Sequence, residues 1–111
     1  MNLNLPNLEI MNLQNNYLKK FPIIEYSLNL KIVNLNSNHI ENLNEMMPHF
    51  TLNIQELDIG NNSISFDFDN VNDFNNFQEK IQELKKLKYL NIRGNDFLTI
   101  EYLDQFEGFN I

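Results

Sequence analysis

At 111 residues the chain is long enough for one domain and too short for two of ordinary size. Its 15 acidic side chains against 8 basic ones leave a formal charge of −7, which weighs against a nucleic-acid partner, since phosphate contacts need clustered Lys and Arg. There is no cysteine, so disulfides are excluded, and no run approaches the roughly 20 apolar residues that span a bilayer.

In chain order, Met1 to Ile10 lacks the basic segment and apolar run of a signal peptide. Together with the absence of cysteine, this makes a cytoplasmic location the simpler expectation. Leu8, Met11, Leu13 and Asn16 then open a spacing, Leu-x-x-Leu-x-Leu-x-x-Asn, that the chain uses four times. The second copy is Leu30, Val33, Leu35 and Asn38; the third is Ile54, Leu57, Ile59 and Asn62; the fourth is Leu87, Leu90, Ile92 and Asn95. In each copy the middle apolar pair alternates with period two, as a strand with one buried face should. One such strand and turn cannot bury its apolar side alone, so the copies must stack. The asparagines Asn16, Asn38, Asn62 and Asn95 stand where the chain leaves the strand, where an amide can satisfy turn groups that no ladder reaches.

The return segments are apolar at three-residue intervals: Leu18 and Phe21, Ile40 and Leu43, Phe97 and Ile100. They predict short helices or irregular turns, with Phe21-Pro22 favouring an extended return. The third return is longer, because the asparagine spacings are 22 (16 to 38), 24 (38 to 62) and 33 (62 to 95). Within this insertion, placed in 65–83, Phe74, Phe77, Ile81 and Leu84 recur at helical spacing. An acidic, Asn-rich loop, Asp67–Asp73, leads into that helix, with Asp73 near its N-terminus.

These four copies in register resemble the leucine-rich repeat family, and the resemblance covers nearly the whole chain. Two of the three spacings fall in that family's range of roughly 20–29 residues, similar to the short, twenty-two-residue intracellular class. The resemblance implies an α/β fold: a leucine-rich repeat solenoid with a parallel concave sheet of about four strands and short helices or turns on the convex side. It implies a single domain over 1–111, with repeats near 5–26, 27–50, 51–83 and 84–108. The class it resembles includes phosphatase regulators, ciliary and axonemal components and spliceosomal adaptors.

Catalysis has little support. Among possible nucleophiles and bases there is no Cys, and His39 and His49 have no Ser or carboxylate at a foreseeable geometry. In the Asp67–Asp73 loop, Val71 stands where a calcium loop needs an oxygen ligand and Asn72 where it needs Gly, so a solvated helix entry is the expected role. No catalytic residue, metal or cofactor is expected. The strand residues that alternate away from the core are the better candidates. They form two rows, Ile10–Ile32–Glu56–Tyr89 and Asn12–Asn34–Asp58–Asn91, with Gln14, Asn36, Gly60 and Arg93 just beyond. An apolar stripe with a polar rim marks a partner surface, although β-branched and aromatic residues favour strands in any case.

At the ends, Leu5 already occupies a regular position, and Phe97, Ile100, Leu103 and Phe106 complete the last return. Phe109 then falls where a fifth copy would begin. The ends are therefore expected to be covered by more repeats or by neighbouring chains, since bare strand edges invite association. The expected function is a non-catalytic protein–protein interaction scaffold in a larger intracellular assembly, cytoskeletal or ciliary by analogy. The alternative is a regulatory subunit of an enzyme such as a protein phosphatase.

Overall fold

Each copy of the pattern supplies a three-residue strand. The computed structural model describes residues 2–4, 7–20, 23–25, 29–42, 52–65 and 71–96, with backbone alone for 2–4, 23–25 and 71–74. The elements are β1 (Asn2–Asn4), β2 (Ile10–Asn12), β3 (Ile23–Glu25), β4 (Ile32–Asn34), β5 (Glu56–Asp58), α1 (Val71–Glu83) and β6 (Tyr89–Asn91). Leu5, Phe21-Pro22, Leu43, His49, the Asp67–Asn70 part of the acidic loop and the segment from Phe97 to Phe109 lie outside the described residues.

The strands β2, β4, β5 and β6 form one parallel sheet in that order. Their register sets Ile10 beside Ile32, Glu56 and Tyr89, and Asn12 beside Asn34, Asp58 and Asn91. Between these rows runs a third, Met11–Val33–Leu57–Leu90, and all four of its side chains are buried. A strand turns alternate side chains to opposite faces, so burying the middle residue puts both neighbours outside. The parallel ladder continues past the strands: Leu13 N–H donates to Asn34 O (2.8 Å), Leu35 N–H to Asp58 O (2.8 Å) and Ile59 N–H to Asn91 O (2.9 Å).

The core is built of matching positions from successive copies. Leu30, Ile54 and Leu87 are buried, as are Leu35, Ile59 and Ile92, and Ile40 with Ile64. Their counterparts in the first copy, Leu8, Leu13 and Leu18, are only partly buried and pack against that cluster. The expected column of Leu13, Leu35, Ile59 and Ile92 is thus fully buried in three of its four members. Full burial of such a side chain is worth about 1.5–3 kcal/mol, so the partly buried Leu8, Leu13 and Leu18 contribute less than their counterparts.

The first return is extended at Ile23–Glu25, as Phe21-Pro22 favours, and the pairing it makes is new: β1 and β3 form a second, two-stranded parallel sheet pairing Asn2 with Ile23, Leu3 with Ile24 and Asn4 with Glu25. In sequence Ile23 and Ile24 follow Pro22, and a pair of β-branched residues after a proline prefers extended backbone to helix. The partners lie 21 residues apart (2 to 23), one fewer than the 22 that separate Ile10 from Ile32 in the main sheet, so this pairing keeps its own offset.

The third return carries the helix. α1 buries Phe77 and Ile81, with Leu84 just past its end, and exposes Asn75, Asn76, Glu79, Gln82 and Glu83. It begins at Val71, so Val71–Asp73 are helical rather than loop, and Asp73 sits in the first turn. The apolar spacing explains the earlier start, because Val71 precedes Phe74 by the same three residues that separate Phe74 from Phe77. Leu84 N–H closes on Ile81 O (3.1 Å) and Leu87 N–H on Leu84 O (3.0 Å), tight turns that deliver the chain to β6.

Every turn after a main strand contains one residue in the left-handed region: Asn15 (φ 60°), Ser37 (60°), Asn61 (52°) and Gly94 (75°). Each directly precedes a pattern asparagine. Glycine adopts this conformation without penalty and Asn tolerates it through local hydrogen bonding, whereas most L-residues lose about 1–2 kcal/mol there. At Gly94 a Cβ would also press on Asn61 Oδ1. Gly94→Ala is expected to cost about 2 kcal/mol in urea unfolding, and Asn61→Gly in the same chain should recover part of it. A Gly94→Ala loss that Asn61→Gly leaves unchanged would show that the contact plays no part.

Candidate functional site

Three of the four pattern asparagines, Asn38, Asn62 and Asn95, tie the copies together. Asn38 Nδ2 donates to Leu35 O in its own turn (2.9 Å) and to Leu13 O in the preceding one (2.9 Å), while its Oδ1 accepts Leu18 N–H (3.1 Å). Asn62 repeats this with Ile59 O (3.0 Å), Leu35 O (3.0 Å) and Ile40 N–H (3.1 Å). Asn95 does so with Ile92 O, Ile59 O and Ile64 N–H, each at 3.0 Å. Asn16, in the first copy, is exposed and donates to Leu13 O and Gln14 O of its own turn. These residues belong to the frame of the sheet and leave its outer face to other side chains.

On that face the two rows behave differently. Asn12, Asn34, Asp58 and Asn91 each use Oδ1 to accept the backbone N–H two residues on, at 3.0–3.1 Å, holding the exit of every strand. This short loop is the habit of Asn and Asp wherever the chain turns. Two of the four also bind across strands: Asn34 Nδ2 donates to Gln14 Oε1 (2.9 Å), and Asp58 Oδ1 accepts from Asn36 Nδ2 (2.9 Å). Asn36 Oδ1 in turn accepts from Ser37 Oγ (2.6 Å) and Asn61 Nδ2 (3.2 Å). The polar row is therefore largely occupied with itself. Gly60 keeps room for this network, since a Cβ there would stand 3.0 Å from Asn36 Nδ2 and 3.1 Å from Arg93 O.

The other row is open. Ile10 is 59% exposed at the outer strand β2, Ile32 and Tyr89 are half-buried, and Glu56 is exposed between them. Ile32, Val33, Asn34, Glu56, Asp58 and Tyr89 line a depression of about 160 Å³. Five of the nine candidate partner-binding residues thus share one hollow. Ile10, Asn12 and Asn91 flank it on the same face, and Arg93 is exposed beyond the end of β6. Among the described residues, neither the Glu56 carboxylate nor the second oxygen of Asp58 has a hydrogen-bond or ion-pair partner.

Reading the copies one position at a time misses a pair that reading across them would find. Tyr17 and His39 each follow a pattern asparagine, and their rings stack with centroids 5.6 Å apart and planes 8° from parallel. Tyr17 is 86% exposed. The Lys31–Glu9 ion pair (3.0 Å) likewise joins matching positions of two copies, but it is open to water and contributes little. Among the described residues no three His, Asp or Glu side chains converge as a metal site would require, and no helix is long and apolar enough to cross a membrane.

No family model matches the chain. A stretch of 94 residues, 85% of the chain, is 31% identical to Receptor like protein 21 of Arabidopsis thaliana. The chain spans 9% of that relative's length.

Proposed function

We propose that this chain is a leucine-rich repeat array of the short class, a non-catalytic module that holds another protein on the outer, concave face of its four-stranded sheet. One observation carries the reading: strand register sets Ile10, Ile32 and Tyr89 in one outward row, with Ile32 and Tyr89 lining a hollow, outside the buried cluster of the described residues. An apolar patch with a polar rim is what a partner surface requires. Similarity to a stretch of a receptor-like protein supports a recognition role over a chemical one, but fold alone names no partner. The same reading leaves the half-buried Leu8, Leu13 and Leu18 for whatever chain packs on the first copy.

A photo-crosslinking amino acid placed at Ile10, in the native cell, is expected to trap one protein species. The adduct should vanish when Ile32→Asp is added. The same probe at Asn76, on the exposed side of α1, should trap nothing comparable. Adducts from Asn76 alone, or from neither position, would reject this face as the contact surface.

A further inference from the structure

The hollow differs from the rest of the face in charge. Most of its polar neighbours are hydrogen-bonded to one another, whereas Glu56 and the free oxygen of Asp58 point negative charge at nothing within the described residues. Both lie on β5, two residues apart and so on one face, about 6.6 Å from each other along the strand. Glu56 stands between Ile32 on one neighbouring strand and Tyr89 on the other, each about 4.8 Å away across the sheet. Arg93 is the nearest cation in sequence on this face, and it forms no ion pair with either carboxylate among the described residues.

We propose that this hollow seats a cationic side chain of a partner protein, an arginine in an extended segment, with its guanidinium between Glu56 and Asp58 and its stem between Ile32 and Tyr89. The proposal rests on the reading of this face as the contact surface and adds what the surface selects. Shape and charge agree on the occupant. About 160 Å³ is close to the cavity of about 150 Å³ that holds a benzene ring, so a planar guanidinium fits. A guanidinium presents a rigid fork of donors that reaches two carboxylates and stacks on an aromatic face, whereas an ammonium offers a point charge. The chain's acid excess draws a basic segment in from a distance.

The test titrates the full chain at low ionic strength with acetyl-Gly-Arg-Gly-Arg-Gly-amide and follows backbone amide NMR shifts. The shifts are expected to centre on Ile32, Glu56, Asp58 and Tyr89, and the same peptide with citrulline for arginine should produce none. Glu56→Gln should weaken binding at least about fivefold, the scale of one charge-assisted contact, with the unfolding midpoint unchanged. Glu79→Gln on α1 should leave affinity as it is. Shifts spread equally over Glu79 and Glu83, or equal weakening by both substitutions, would show unspecific attraction and overturn the site. Equal binding of the citrulline peptide would remove the role of charge. If raising the chain concentration alone moves these residues together with Lys85, Lys86 and Lys88, the occupant is a second copy and the proposal is wrong. Failure here with the Ile10 crosslink intact sinks only the arginine seat. Loss of both sinks the surface.

Discussion

Asn62→Ala is expected to destabilise the chain by about 2–4 kcal/mol in urea unfolding, against about 0.5–1 kcal/mol for the same change at Asn16. The difference follows from what each amide leaves behind. Asn62 is 7% exposed and holds four backbone groups: Leu35 O, Ile59 O, Gly60 O and Ile40 N–H. Three of these keep a partner after truncation, because Leu35 O still receives Asn38 Nδ2, Ile59 O still receives Asn95 Nδ2, and Gly60 O still receives Ser37 N–H. Ile40 N–H keeps none among the described residues, and a buried donor without an acceptor costs about 1–3 kcal/mol alone. Asn16 faces water, which replaces what its side chain gave. Asn62→Asp should be worse than Ala, since an ionised carboxylate cannot donate and would face three carbonyl oxygens. Equal losses at Asn62 and Asn16 would mean that the amide rows do not couple the copies.

The same asparagines show how far sequence alone reaches. Their spacing places all four strands of the main sheet and its register, because a pattern with fixed phase leaves neighbouring strands one way to align their apolar residues. The helix was legible for a similar reason: Phe77, Ile81 and Leu84 repeat with a period that only a helix puts on one side. What escaped depends on contacts between copies rather than on spacing within one. Asn34 and Asp58 read as side chains free for a partner, yet each also holds a turn and a neighbouring strand, and one residue type serves both uses equally well. Phe21-Pro22 pointed to an extended first return, but not to a second sheet, because the pairing of Ile23–Glu25 with Asn2–Asn4 joins two segments whose spacing carries no repeat signal. The left-handed turn position, by contrast, was available to read: Asn15, Ser37, Asn61 and Gly94 sit in one register and are residues that tolerate or favour that backbone.

Phe77→Ala is expected to cost about 3–5 kcal/mol, as large a loss as any single truncation in the chain. Phe77 is fully buried and sits with Ile81 on the inward side of α1, so its ring joins the longest return to the core that the strands build. Removing it leaves a void inside the buried cluster, and the cost of such a site grows with the volume that fails to collapse. The loss should not fall evenly. Stacked copies contact chiefly their neighbours, so hydrogen exchange should rise most in β5, α1 and β6, and least in the β2–β4 pair. Phe77→Leu, which keeps most of the apolar volume, should recover more than half of the stability. Uniform loss of protection across all four strands would instead show that the sheet unfolds as one unit, and that α1 supports every copy rather than the two it connects.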